Sequence, residues 1–338
     1  MFVSTGTAGI KKQKMEKSKQ NSCVLAMDLG GTLTKLGLVD NTGKVLKSEV
    51  FRTGAYGPYD AFLERVEKIF KAWKAEHLKP LALGIGAPNA SHLTGCMESP
   101  PNFRWGDRVP LLESIRALWD LPAFITNDAN AAALGELHFG VGQGMQYFVT
   151  LTLGTGLGSG IINDGKLLTG HQGMAGELGH INVYPEGRQC NCGLKGCLET
   201  YASVTGIRRT IMELIAREGG GATRLSAYSF DELEGKLISE AALEGDPVAL
   251  EAFETTGRIL GLKMADMAAH LDPEAFIISG GLSKAGEILL EPVRRSMETH
   301  LFPVYRGKIK VLLSEFSSAE AVLGPAALAW EGLRREGS

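Results

Sequence analysis

The sequence has no apolar run approaching the roughly 18 residues that span a bilayer, so no membrane helix is expected. It has no surplus of positive charge: 35 Lys and Arg stand against 38 Asp and Glu, a net charge of −3. That balance argues against the broad basic surface that nucleic-acid binding needs. No Gly-Lys-Ser or Gly-Lys-Thr occurs, which excludes a Walker A phosphate loop. Cysteine is scarce and unevenly placed: there are five, and three fall within residues 190–197. A secreted disulfide scaffold is shorter and spreads its cysteines, so a reducing, cytoplasmic compartment is expected. Cys23 and Cys96 lie beside apolar residues and read as buried small hydrophobes. A secretory signal puts basic residues before its apolar stretch, whereas here MFVSTGTAGI precedes KKQKMEKSKQ. Residues 1–22 are expected to form a disordered N-terminal extension.

What is present is enough for two lobes: 338 residues, 44% of them hydrophobic, at roughly 150 residues per domain. The segments VLAMDLGGTLTKLGLV (24–39) and FVTLTLGTGLGSGII (148–162) both read as strand, Gly/Thr turn, strand. Their recurrence predicts an internally duplicated α/β fold. Residues 60–78 predict a helix with Phe62, Val66, Ile69, Phe70 and Trp73 on one face. Buried strands are expected at LALGIGAP and AFITND, the latter running into the helix ANAAALGELHFG. Helices at 203–217, 230–243, 246–270 and 285–299, with the strand AFIISGG between the last two, fill the second half. The expected lobes are 23–135, completed by a C-terminal helix at 318–335, and 136–317, with an interlobe cleft.

Glycine turns let backbone N–H groups converge on an anion. In DLGGT, Gly30, Gly31 and Thr32 supply such donors, Lys35 a cation, and Asp28 a carboxylate able to hold Mg²⁺ through water. An isolated turn of this kind is more simply a bare hairpin. The second hairpin at Gly154, Thr155 and Gly156 points instead to a two-sided phosphate clamp. GTGLGSG is not a dinucleotide fingerprint, because a strand and not a helix follows it. Gly280-Gly281 is either a cover for a nucleoside or a plain strand-to-helix turn.

Asn127 and Asp128 stand where a strand gives way to a helix, and either suits an N-cap. A carboxylate there is expected to stay ionised through the helix dipole, which also suits a base in phosphoryl transfer. His180, Cys190, Cys192 and Cys197 form H-x₉-C-x-C-x₄-C, a ligand set for tetrahedral structural zinc. Four protein ligands leave no open position for a catalytic water. Glu177 lies three residues before His180, and Glu199 two residues after Cys197. They are either surface charges beside a metal knot or, with His180, partners for the hydroxyls of a polyol.

Together DLGGT, GIGAPN, ESPPNFRW, NDANAAALGE, LTLGTGLGSGIINDGKLLTGHQGMAGELGHI and CNCGLKGCLETYAS resemble the ROK family of sugar kinases and repressors, in its glucokinase branch. The resemblance implies the two-lobed actin-like ATPase fold, a duplicated ribonuclease H-like architecture. It implies an ATP-dependent hexose kinase acting on the 6-hydroxyl, with ATP, Mg²⁺ and structural Zn²⁺, and a homo-oligomer, the family often being dimeric. It makes Asp128 the catalytic base and Asn102, Asn127, Glu177, His180 and Glu199 the sugar contacts. Gly30, Gly31, Thr32, Lys35, Thr155 and Gly156 become phosphate contacts and Asp28 the Mg²⁺-associated acid. The family's repressors carry an N-terminal helix-turn-helix, for which residues 1–22 are too short and polar. A kinase for N-acetylglucosamine or N-acetylmannosamine, or a non-catalytic sugar sensor, is the alternative. GIGAP continues here as Asn89-Ala90-Ser91 where many relatives have Gly at 89, which puts the sugar's identity in question.

Overall fold

The computed structural model describes residues 22–336 except 56, 77, 78, 102, 219, 220 and 222. All of the expected extension 1–22 except Ser22, and Asn102, therefore lie outside the described residues. Two units separate, one running to Phe139 and resuming at Phe316, the other Gly140–Glu315.

In the first unit the alternation of β1 (Cys23–Leu29) sets two layers. Cys23, Leu25, Met27 and Leu29 face one core, Val24 and Ala26 the other. β1 pairs antiparallel with β2 (Leu33–Asp40), which pairs antiparallel with β3 (Val45–Arg52). On its other side β1 runs parallel to β4 (Pro80–Gly86), and β4 parallel to β7 (Ala123–Thr126). A two-residue ladder, β5 (Met97–Glu98) with β6 (Arg108–Val109), lies outside this sheet. Helix α1 (Tyr59–Ala75) buries Phe62, Val66, Ile69, Phe70 and Trp73, the face that the spacing predicts. Each large side chain buried there contributes roughly 1.5–3 kcal/mol. Helix α2 is Leu111–Leu118, and α3 (Asp128–Phe139) starts two residues after β7 ends. The opposite face is covered by the final helix, Leu323–Glu336, which packs on β1, β4 and α3. Gly84 is what lets it sit so close: a Cβ there would fall 1.8 Å from the Pro325 carbonyl oxygen.

The second unit repeats the strand order. β8 (Phe148–Leu153) pairs antiparallel with β9 (Leu157–Asn163), and β9 with β10 (Lys166–Leu167). β11 (Ala275–Ser279) and β12 (Lys310–Leu313) continue in parallel on the far side of β8. The orders β3-β2-β1-β4-β7 and β10-β9-β8-β11-β12 are the same plan used twice. One turn of helix, α4 (Glu199–Ala202), leads into α5 (Val204–Glu218), followed by α6 (Gly235–Leu243), α7 (Pro247–Leu271) and α8 (Glu287–His300). The helix at Leu323–Glu336 is thus α9. Asp246 caps α7, its Oδ1 accepting from the N–H groups of Val248 and Ala249 at 3.1 and 3.0 Å. Residues 230–243 were expected to be a single helix; they form a 3₁₀ turn, Phe230–Glu232, and then α6. A capping box of Ser229 and Glu232 starts the turn, which ends at Leu233 before α6 begins. No helix among the described residues is long and apolar enough to cross a membrane.

Candidate functional site

In the first unit, the β1–β2 hairpin turns through Gly30, Gly31 and Thr32. Gly30 N–H reaches Leu33 O at 3.0 Å, and a Cβ on Gly30 would lie 2.9 Å from that oxygen. Glycine is needed here for close approach. Thr53 braces the turn, its hydroxyl donating to Gly30 O at 2.6 Å and its N–H to Thr32 O at 3.0 Å. At the end of β1, Asp28 accepts from Lys35 Nζ at 3.2 Å. Burial pushes the Asp28 carboxyl above its ordinary value; Lys35 pulls it down, and the Asp128 charge pushes it up again. The two aspartates therefore sense each other.

Asn127 and Asp128 divide the roles left open by the sequence. The Asn127 side chain is the cap, accepting the Asn130 N–H at 2.6 Å. Asp128 is the first helical residue, and its carboxyl takes the Ala129 N–H at 2.9 Å. The helix start is not the only influence on the Asp128 carboxyl. Burial raises its carboxyl above the ordinary range, outweighing the N–H groups of Ala129 and Asp128 that pull it down. By area the side chain is exposed, so solvent limits the size of this shift and leaves its direction.

In the second unit, the β8–β9 hairpin carries Gly154, Thr155 and Gly156. Val204 N–H donates to Gly154 O at 2.8 Å, and the Thr205 hydroxyl to Thr155 O at 2.8 Å. Gly280, at φ 95°, backs onto the end of β8: a Cβ would stand 2.5 Å from Leu153 O. The Gly280-Gly281 pair therefore adjoins this hairpin. Glu199, first residue of α4, belongs to it as well. Its Oε2 accepts the Leu157 N–H at 2.9 Å, and a Cβ on Gly156 would meet that oxygen at 2.4 Å.

The ligand atoms of His180, Cys190, Cys192 and Cys197 all lie within 4.8 Å of one another. Cys192 Sγ is 3.7 Å from Cys197 Sγ, and Cys190 Sγ is 3.8 Å from His180 Nδ1. Sulfurs about 2.3 Å from a tetrahedral ion stand about 3.8 Å apart, so the set fits zinc. Nδ1 faces the sulfurs, while Nε2 lies 4.0 Å from Glu177 Oε2. Burial first, and the neighbouring thiols second, push the Cys197 thiol up to about 12. A bound cation removes that obstacle to three adjacent thiolates. Gly193 and Gly196 reverse the chain at φ 93° and 74°; at Gly196 a Cβ would fall 1.7 Å from Tyr184 O.

Sequence reasoning missed the residue that fastens this loop. Arg188 donates to Thr200 O, Gly206 O, Thr210 Oγ1 and the Glu213 carboxylate, and lies 4.6 Å over the Tyr201 ring. A lone Arg in a polar loop carries no local signal of such a task. Behind it runs a groove of about 470 Å³ with Glu213, Arg217, Glu251 and Arg258 in its walls and none of the predicted site residues. The departure at Asn89 has a backbone cause. Asn89 sits at φ 50°, where Asn is the best tolerated residue after Gly. Its amide donates to Glu98 O and Ser99 O at 3.1 and 3.2 Å.

Two units of one strand order, each opening on a glycine hairpin, define a protein of the actin-like ATPase fold, as in the solved sugar kinases below. The ROK family matches residues 24–331, and the chain belongs to that family. A glucokinase of Thermotoga maritima is 36% identical over 307 residues, which cover 90% of this chain and 96% of that protein. The crystal structure of a ROK family glucokinase from Streptomyces griseus in complex with glucose and AMPPNP is 37% identical. Its TM-score is 0.79, with 91% of this chain and 99% of that one covered. A xylose repressor of Caldicellulosiruptor bescii is 30% identical, covering 93% of this chain and 79% of the repressor.

Proposed function

We propose that this protein is an ATP-dependent glucose kinase that phosphorylates the sugar's 6-hydroxyl. The observation that carries the reading is Asp128. It is a carboxyl at a strand-to-helix junction, held in place by backbone and raised in proton affinity, in a chain 36–37% identical to glucokinases over about nine-tenths of its length. A raised proton affinity makes the ionised Asp128 carboxylate a better acceptor for the hydroxyl proton. Glu177, His180, Glu199, Asn102 and Asn127 hold ring hydroxyls. Gly30, Gly31, Thr32, Thr155 and Gly156 offer N–H and hydroxyl donors to phosphate, with Gly280-Gly281 beside the nucleoside. Lys35 exchanges Asp28 for phosphate, and Asp28 then serves the Mg²⁺ that accompanies ATP. Mg²⁺ there supplies neutralisation of the β- and γ-phosphate charge.

Zinc, held by His180 and the three cysteines, is structural: it fixes His180 and, through Cys197, the start of α4 that bears Glu199. A thiolate site of this kind suits a reducing cytoplasm, where the product sugar phosphate enters glycolysis. A homo-oligomer, most simply a dimer, is the expected assembly.

The test is ADP release by purified protein with MgATP against glucose, mannose, xylose, N-acetylglucosamine and N-acetylmannosamine. Glucose-dependent turnover is expected. The repressor relative motivates a second reading, a sensor, and sugar binding without ADP release would establish it in place of the kinase.

A further inference from the structure

The segment before the zinc ligands is held by a serine that neither the zinc nor the hairpin motif explains. Glu177 sits at φ −74°, ψ 50°, with Leu178 N–H donating back to Gly176 O at 2.8 Å. That is an inverse γ-turn with Glu177 at its centre. A three-residue turn closed by one hydrogen bond does not hold a single conformation unaided. Here Ser159 on β9, 2% exposed, pins both of its ends. Its hydroxyl donates to Gly176 O and accepts from the Leu178 N–H at 3.2 Å, so that N–H is shared between two acceptors. Gly176, at φ 95°, lies against the Ser159 carbonyl, where a Cβ would come within 3.1 Å. Gly179 lies against Leu157 O, where a Cβ would come within 2.3 Å. The same stretch of β9 gives its Leu157 N–H to Glu199. One rigid strand, continuous with the glycine hairpin, thus sets the position of both carboxylates.

We propose that Ser159 is a positioning residue of the sugar site: by pinning both ends of the γ-turn it fixes the direction of Glu177 beside His180. This rests on the reading of Glu177 as a sugar contact. The Ser159 hydroxyl bonds to the backbone of Gly176 and Leu178 and not to a zinc-ligand side chain. Removing the hydroxyl leaves the turn closed by the Leu178 N–H to Gly176 O bond alone and takes one of two donors from that carbonyl. The carboxylate then samples orientations that do not grip the sugar, and the loss falls on sugar binding alone.

The experiment compares wild type, Ser159→Ala and Ser159→Thr, with glucose affinity measured by calorimetry alongside kinetics and zinc content. Ser159→Ala is expected to raise the glucose Kd and KM about tenfold, about 1.4 kcal/mol. KM for ATP, kcat and zinc content should stay within about twofold, the pattern of lost binding rather than lost chemistry. Ser159→Thr keeps the hydroxyl and suits a strand, and should restore the glucose Kd. An unchanged glucose Kd in Ser159→Ala overturns the proposal. So does a parallel loss of zinc, ATP affinity and melting temperature, which marks a merely structural serine. A wild-type protein that binds no glucose overturns the glucose kinase reading and this proposal together; wild-type binding with an indifferent alanine variant overturns this proposal alone.

Discussion

Replacing Asp128 by Asn separates chemistry from stability, and the structure fixes the sign of both effects. Asn keeps the shape and an acceptor for the Ala129 N–H at 2.9 Å, so the start of α3 is preserved. It has no oxygen able to take the hydroxyl proton. A general base is worth about 10²–10⁴ in rate, so kcat should fall by that factor, about 2.7–5.5 kcal/mol of barrier. Stability moves the other way. Because burial raises the Asp128 carboxyl, the native state binds this proton more tightly than the unfolded chain. Between the ordinary carboxylate value and the raised one, wild type therefore loses stability as pH rises. The Asn variant lacks that loss, and it also relieves Asp28 of a neighbouring charge. Its melting temperature should equal or exceed that of wild type at pH 8, the difference shrinking towards pH 4. Wild-type turnover should fall away on the acid side at a pH above the ordinary aspartate range. Coupled ADP release and thermal melts across this pH range measure all three. A variant that keeps kcat within about threefold of wild type refutes Asp128 as the base. A variant increasingly less stable than wild type as pH rises refutes the burial argument.

Two further outcomes follow from the packing. The purified protein should carry about one zinc per chain, and Cys197→Ser should lose it together with glucose binding; stoichiometric zinc in that variant would mean that the ligand set is wrong. Gly84→Ala drives a methyl to within 1.8 Å of Pro325 O and forces α9 off the sheet. Overpacking at backbone is expected to cost on the order of 3 kcal/mol, read as a lowered melting temperature, and an unshifted melt refutes the contact.

Where features depend on near neighbours, the sequence was readable. The four candidate zinc ligands lie within eighteen residues, with glycine reversals at 193 and 196 between them. The α1 core face follows from helical spacing, and the two hairpins from glycine between β-rich runs. The split of residues 230–243 was missed because the Ser229–Glu232 box starts a turn at Phe230 that does not continue into α6, which begins at Gly235. At Asn89 the sequence shows a departure that bears on the sugar's identity, while the left-handed backbone that Asn89 adopts leaves no trace in composition.

By itself, then, the chain determined which residues are chemically capable: the carboxylates, the thiolates, the imidazole and the glycine turns, together with the duplicated strand pattern that carries them. Tertiary structure alone decided how they are tuned and aimed. Glu199 meets Leu157 across 42 residues, Ser159 reaches the turn around Glu177 across 17, and α9 returns from the end of the chain to lie on Gly84. The Asp128 carboxyl shows the physical reason. The helix-start effect that lowers its proton affinity is local and can be read from adjacent residues. The desolvation that opposes it comes from protein around the carboxyl, which the fold and not the adjacent residues puts there.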